Sequence, residues 1–359
     1  MSKFFRGLGR TLLVVFLTLI MVLVLALGAC GVLAWGPSAE WQRRFVATFD
    51  ETSAMKFVPR MYLPSATVEQ ILHPVNSDPE KPAEEPFTEL AFEDGTQSPV
   101  QSDTPSEVVI GELPAEGTES SEWLEIVDIK GSSYKGKMMK IHDPSKVIVG
   151  TLDAYGAAYH GLYLDEFIQK YNAIGGTNAG GFYDPNGGGN GGTPELNGLV
   201  IRDGQIAWGG PGGWYLNVIG FDANHILHVG DMSGQQALDL GLQSAVSFEA
   251  GPTLVQNGEK CKNTRNGSDV LGGGMNPRTC IGQTADGTIL LMVIEGRKPD
   301  SLGATYDDIA QIMLTHGAVN AANLDGGSSS LMYYNGEKIT RGSNLIGMRQ
   351  MSTAILVLN

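Results

Sequence analysis

The sequence predicts an α+β domain: strand-rich, with a mixed sheet and a few packed helices, set behind a single transmembrane helix and a disordered acidic stalk. Three observations predict it. A 24-residue run without a charge, residues 12–35, stands near the N-terminus. From Trp123 onward, short apolar runs recur between Asx-Gly turns. In that region only Thr305–His316 carries full helix signals. Many strands with few helices are the mark of an α+β layer architecture.

The elements follow in order. Residues 1–36 form a cytoplasmic stub and an anchor. A helix needs about 20 apolar residues to cross a bilayer, and LLVVFLTLIMVLVLALGACGVLAW suffices. Lys3, Arg6 and Arg10 precede it and Glu40 is the first charge after it. Positive residues stay on the cytoplasmic side, so the remainder is expected outside the cell. The alternative is a cleaved signal peptide, whose apolar region is usually about 7–15 residues. Residues 37–72 form a juxtamembrane helical segment, with Trp41, Phe45, Val46 and Phe49 at helical spacing. Its apolar face serves either as a simple spacer or as a membrane or dimer contact. Residues 73–121 form an acidic, proline-rich linker. Between His73 and Glu125 stand 14 acidic residues and one basic residue, the composition of a solvated, self-repelling tether.

Residues 122–359 form the functional domain. Strands are predicted over 147–152, 199–202, 218–221, 225–229, 245–248, 253–256, 280–283, 288–294, 319–324, 331–334 and 352–358. Arg-Asp-Gly-Gln at 202–205, Gln-Asn-Gly-Glu at 256–259, Ala-Asp-Gly-Thr at 285–288 and Tyr-Asn-Gly-Glu at 334–337 read as hairpin turns. The helix at 305–316 has Thr305 as N-cap, Asp307 and Asp308 in its first turn, and Gly317 at its end. Shorter helices are predicted over 162–171 and 234–240. Gly175–Gly213 holds 15 glycines in 39 residues, so this stretch is either a mobile insertion or a place where backbone approaches a ligand.

Composition excludes several function classes. The net charge of −15 argues against a nucleic-acid binder, which needs clustered Lys and Arg. Three cysteines exclude a four-cysteine zinc site and a disulfide-dense scaffold. No His-Glu-x-x-His, P-loop or Gly-x-Ser-x-Gly motif is present.

Three constellations carry chemistry. Thr177-Asn-Ala-Gly-Gly-Phe182 offers the Asn178 amide and, at Gly180 and Gly181, exposed backbone N–H groups. Asn276-Pro-Arg-Thr-Cys-Ile-Gly282 offers Arg278, a fork for phosphate or carboxylate, or else a structural ion pair. Asn320-Ala-Ala-Asn-Leu-Asp-Gly-Gly-Ser-Ser-Ser330 ends a strand at Asn323 and Asp325, before a glycine turn that can form an anion nest. Cys261 and Cys280 are either a disulfide pinning the loop before Arg278 or two free thiols.

In this order the motifs resemble the phosphodiester glycosidase family, which includes the lysosomal enzyme that uncovers mannose-6-phosphate and bacterial proteins of exopolysaccharide biosynthesis. TNAGGFYD at 177–184, NGLVIRDGQ at 197–205, GPTLVQNGE at 251–259, NPRTCIGQTADGTILLMVIEGR at 276–297 and GAVNAANLDGGSSS at 317–330 carry the resemblance, over roughly 140–359. It departs at Cys280 and at Ser328, where the family often has small residues. The resemblance implies hydrolysis of a sugar-1-phosphodiester in envelope or exopolysaccharide metabolism. Asp325 would be acid, base or nucleophile and Arg278 would bind phosphate. Glu295 would be a second carboxylate, or else a partner of Arg297; Glu249 is a further candidate. Asn178, Gly180, Gly181, Phe182, Thr279, Asn323, Gly326, Gly327 and Ser328 would bind substrate. No cofactor is required, although Asp153, Asp184, Asp222 and Asp325 offer oxygen ligands for a divalent metal. The expected partners are a phosphate-linked glycan or glycolipid and, through residues 12–35, the membrane. Two other readings stand beside this one: a non-catalytic module binding anionic glycans, and a metal-dependent phosphodiesterase cutting P–O.

Overall fold

The computed structural model describes residues 2–36, 38–51, 55–72, 120–121, 123–156, 159–182, 196, 198–263, 269–343 and 349–359. The expected linker, apart from Ser120 and Ser121, and the glycine-rich loop 185–193 lie outside them. Contacts divide the chain into two compact units, Met1–Ser77 and Asp78–Asn359.

The first unit is helical. Helix α1 (Ser2–Ala34) includes Thr11–Ala34, which is long and apolar enough to cross a membrane. Three further helices follow: α2 (Ala39–Asp50), α3 (Val58–Tyr62) and α4 (Ser65–Leu72). Ser38 caps α2 by accepting the Trp41 amide proton, and Pro59 occupies the first turn of α3, where its missing N–H costs nothing. The periodic Phe45 and Val46 point inward with Ala34, Leu63 and Val68, forming a small core of their own.

The second unit contains eighteen strands and three helices among its described residues. In chain order these are β1 (Ser120–Ser121), β2 (Leu124–Lys130), β3 (Lys135–Ile141), β4 (Val147–Thr151), α5 (Leu164–Tyr171), β5 (Ala173–Asn178), β6 (Val200–Arg202), β7 (Gln205–Trp208), β8 (Trp214–Phe221), β9 (Leu227–Ser233), α6 (Gly234–Asp239), β10 (Ser244–Ser247), β11 (Thr253–Gln256), β12 (Glu259–Lys260), β13 (Arg278–Thr284), β14 (Ile289–Ile294), α7 (Tyr306–Thr315), β15 (Ala318–Asn323), β16 (Met332–Tyr334), β17 (Glu337–Lys338) and β18 (Thr353–Leu358). All four Asx-Gly turns join adjacent antiparallel strands. In three of them both central residues have positive φ, at Asp203-Gly204, Asn257-Gly258 and Asn335-Gly336. That is the conformation whose twist matches the flanking strands.

The strands form three sheets, in the orders β1-β2-β3-β14-β13-β15-β11-β12, β7-β6-β10-β8-β9 and β17-β16-β5-β18-β4. The α+β class stands, but every pairing between described residues is antiparallel, so the sheets are not mixed. The physical reason is the connectivity, since many neighbours are joined by turns too short for a parallel crossover.

The inner faces of the sheets share one core. Met139, Ile281, Leu291 and Ala322 of the first sheet meet Val200, Ile219 and Val246 of the second and Met332 and Ile355 of the third. Helix α7 covers the opposite face of the large sheet through Ile309, Ile312 and Met313, packed on Met138, Cys280, Leu290 and Met292. Helix α5 covers the third sheet through Phe167, and α6 the second through Ala237. Strands buried on both faces need unbroken apolar runs, which explains Ile289–Ile294.

The expected disulfide does not form: Cys261 and Cys280 are both free thiols. Cys280 points into the core beneath α7, while Cys261 sits at the margin of that cluster, 3.8 Å from Gln256 Oε1. Burial pushes the Cys261 thiol up to about 12 and the Cys280 thiol further in the same direction.

Candidate functional site

The three constellations meet where β5 and β15 end and β13 begins. A pair of hydrogen bonds joins the first to the third: Asp325 N donates to the Ala179 carbonyl at 2.8 Å, and Asn178 Nδ2 donates to the Asp325 carbonyl at 2.6 Å. Thr279 donates its hydroxyl to Asn178 Oδ1 at 2.9 Å, adding the second constellation. A three-residue turn, Gly327–Ser329, follows Asp325. Gly327 N donates to the Pro277 carbonyl, and Ser343 Oγ donates to the Gly327 carbonyl. A Cβ on Gly326 would lie 2.9 Å from the Pro277 carbonyl oxygen, and Gly327 has φ +61. Both glycines are therefore demanded by the backbone path itself.

The structure sorts the expected residues into two groups. Gly181, Phe182, Asp325, Gly326, Gly327 and Ser328 keep partial exposure. Asn178, Gly180, Thr279 and Asn323 are buried. Asn178 and Thr279 spend their polar atoms on each other and on backbone, so they hold the site together without facing it. A Cβ on Gly180 would press on the Ser247 carbonyl and Val246.

Arg278 is the principal correction. It is 4% exposed, and its Nε and Nη2 donate to the carbonyls of Ala304 and Gly274 at 3.0 and 2.7 Å. Its guanidinium lies 4.0 Å over the Tyr306 ring. The reason is strand alternation: Arg278 shares the Cys280 face, toward α7, and Thr279 takes the other. Arg278 thus braces the loop 272–276 from behind the Asp-Gly-Gly turn. Glu295 is likewise engaged, but not by Arg297. Its Oε2 accepts from Arg341 Nε at 2.6 Å and its Oε1 from the Arg341 backbone N–H at 2.7 Å.

Two other arginines flank the turn. Arg349 Nη1 donates to Ser328 Oγ at 3.0 Å, and its guanidinium lies 4.4 Å over the Phe182 ring. Arg297 lies beside Gly327 and donates from Nη2 to Asn276 Oδ1 at 3.2 Å. Arg349 belongs to none of the three sequence constellations. The one signal for it was a basic residue just before the last strand. From the sequence, Arg297 reads only as a partner for Glu295.

The site's electrostatics centre on Asp325. Burial pushes its carboxyl up to about 6, while the Ser329 hydroxyl, the Arg349 charge and the Gly326 N–H pull the other way. A second carboxyl with a raised pKa stands on the rim. Burial and then Asp231 raise Glu249, although Leu216 N and Ser247 Oγ donate to it at 3.2 and 3.1 Å. Its neighbour Phe248 lies against Gly181. Among the described residues no three His, Cys, Asp or Glu side chains converge on a metal-sized site.

Behind both carboxyls sits Asn217, buried, with φ +48 at a bulge in β8. Its N–H donates to Asp231 Oδ1, its Nδ2 to the Asn323 carbonyl, and its Oδ1 accepts from Thr253. Asn217 thus ties the second sheet to the end of β15, two residues before Asp325.

Over half of the chain, residues 171–358, matches the family model for phosphodiester glycosidase, and the chain belongs to that family. The fold is similar to that of the zebrafish N-acetylglucosamine-1-phosphodiester alpha-N-acetylglucosaminidase catalytic domain, auto-inhibited by its pro-peptide. The two share 22% identity and a TM-score of 0.52, over 67% of this chain and 85% of that one. A hypothetical protein from Synechocystis matches with 18% identity and a TM-score of 0.46, over 68% of this chain and 64% of that one. The SPbeta prophage-derived uncharacterized protein YomE of Bacillus subtilis (strain 168) is 39% identical over 69 residues. That stretch is 19% of this chain and only 11% of the relative's length.

Proposed function

We propose that the protein is a membrane-anchored hydrolase that cleaves the C1–O bond of a sugar-1-phosphodiester. The products are a free sugar and a phosphomonoester. Residues 12–35 hold it in the membrane. The basic Lys3, Arg6 and Arg10 keep the N-terminus cytoplasmic, so the domain works outside on a phosphate-linked glycan or glycolipid of the envelope.

The observation that carries the reading is the placement of Asp325. It lies beside Arg349 and the Gly326–Gly327 turn, with its carboxyl pushed up to about 6. A phosphodiester on the turn meets Arg349 and Arg297. A protonated Asp325 does not repel that anion. As the C1–O bond breaks, its electron pair goes to the phosphate oxygen and Asp325 gives that oxygen its proton. Glu249, across Gly181 and Phe248, takes the proton of the water that attacks C1. Arg349 and Arg297 offset the charge developing on the leaving phosphate. Phe182, held flat by Arg349, offers its ring to the sugar. Neither Arg278 nor Glu295 takes a direct part; they hold the flanking loops.

Turnover of a panel of sugar-1-phosphodiesters in oxygen-18 water tests this. Label in the free sugar supports C–O cleavage. Label in the phosphate moves the protein to the phosphodiesterases. Glycan binding by both wild type and Asp325→Asn, with turnover by neither, makes it a binding module.

A further inference from the structure

The helical cap that follows the anchor leaves large apolar side chains uncovered. Phe57 and Met61 are each 60% exposed, Met55 48% and Trp41 45%. Phe57 and Met61, four positions apart, share one side of α3. The packing places it at a definite height along α1. Tyr62, at the end of α3, donates its hydroxyl to the Leu27 carbonyl of α1 at 3.0 Å. A Cβ on Gly31 would lie 3.6 Å from the Tyr62 ring. The apolar span of 24 residues, Thr11–Ala34, rises about 36 Å as a helix. The hydrocarbon layer is about 30 Å thick. The excess is about four residues, which puts the hydrocarbon boundary near Cys30 and Gly31, at the level of Tyr62. Tyrosine and tryptophan favour that boundary because one end of each is apolar and the other polar.

We propose that α2, α3 and α4 form an interfacial cap seated on the leaflet at the C-terminal end of α1. Phe57, Met61 and Met55 enter the boundary between headgroups and acyl chains, with Trp41 at its edge. The partner is the bilayer around the protein's own anchor, and continuity with the span selects it over a second copy. Lys56, next to Phe57, supplies the cation for lipid phosphates, as in interfacial helices, whereas Arg60 is held by Glu69 Oε1 at 2.7 Å. The cap fixes the height of the anchor and stiffens its exit from the membrane. This inference rests on the anchoring reading alone and not on the glycosidase chemistry.

The test uses the full chain in phosphatidylcholine nanodiscs, with Cys30 and Cys261 replaced by Ala and the buried Cys280 left in place. An environment-sensitive fluorophore is attached at Phe57→Cys, Met61→Cys, Gln70→Cys or Leu19→Cys, and is quenched by lipids spin-labelled at the shallow acyl position. Labels at 57 and 61 are expected to emit blue-shifted light and to be quenched at least about threefold more than the label at 70, as interfacial burial requires. That result holds at one protein per disc. Labels at 57 and 61 that match position 70 while position 19 is quenched overturn the proposal and leave the anchor standing. An unquenched label at 19 overturns the anchor and the proposal with it. A blue shift without lipid quenching, growing with protein per disc, assigns the surface to a second copy instead. As a second readout, trypsin should cut after Lys56 about tenfold faster in a Phe57→Glu, Met61→Glu variant, because the charges lift the cap from the bilayer. Equal cutting in variant and wild type also overturns the proposal.

Discussion

A carboxyl that loses water raises its pKa, and a neighbouring cation partly restores it. Asp325 experiences both, and three outcomes follow. As the proposed acid it must be protonated, so kcat/KM should fall as pH rises through about 6. Arg349→Ala removes the lowering charge, so that limb moves to higher pH while KM rises; a pH–rate profile of the variant checks both. Asp325→Asn lowers kcat by about 10²–10⁴ with a modest change in KM, the usual scale for a lost general acid. Stability falls with rising pH as well. A folded pKa above the usual carboxylate value penalises the charged form, so the native state loses stability as pH rises from about 4 through about 6. Asp325→Asn escapes that loss and gains on wild type by about 2–3 kcal/mol by pH 8. Thermal midpoints of both proteins from pH 4 to 8 measure the difference; a constant gap refutes the buried titration.

At the scale of elements, the site depends on how strand ends are tied together. Asn217 stands in the left-handed region at the β8 bulge and bonds to Asp231, Asn323 and Thr253. Deleting its side chain leaves buried groups unpaired, so Asn217→Ala should cost about 2–4 kcal/mol. Asn217→Gly loses the same bonds but accepts the positive φ, and should be the less harmful by about 1 kcal/mol. Denaturant unfolding of the two variants decides; equal losses would show that the backbone conformation carries no cost. Arg278 also acts between elements. Its bonds to Ala304 and Gly274 make it a brace. Arg278→Lys keeps the charge but loses the fork, so it should lower the thermal midpoint more than it changes KM for the phosphodiester.

For the whole molecule, the division into two units has a direct consequence. Each has its own apolar core, one around Phe45 and Val46, the other between the sheets. Removing residues 1–119 should leave kcat/KM on a soluble phosphodiester unchanged within about twofold, since independent units add without coupling. Activity on a membrane-borne substrate should fall, because tethering raises the effective concentration of enzyme at the surface. Comparing the two substrates separates the roles. Native-state thiol labelling should modify Cys261 slowly and spare Cys280 until the domain unfolds, in keeping with one half-buried and one buried free thiol.

Short-range chemistry made much of this protein legible in its residues. The charge-free run, the Asx-Gly hairpins and the Thr305 cap each depend on neighbours within a few positions. The Asp325 turn was legible as a motif for the same reason. Two sets of strands were not. The β2–β3 hairpin carries charges on both faces, Glu125 opposite Lys140 on one and Asp128 opposite Lys137 on the other, which masks its alternation. Strand β5 reads as a glycine loop, although Gly175 and Gly176 are there because a Cβ would strike the carbonyls of Tyr333 and Ile355. What only the tertiary structure decided is which side chains face the site. Asn178 and Thr279 stand 101 residues apart, and Arg349 and Ser328 stand 21 apart. Sequence spacing sets the alternation of a strand, but the helix packed on one face of the large sheet decides that Arg278 looks inward.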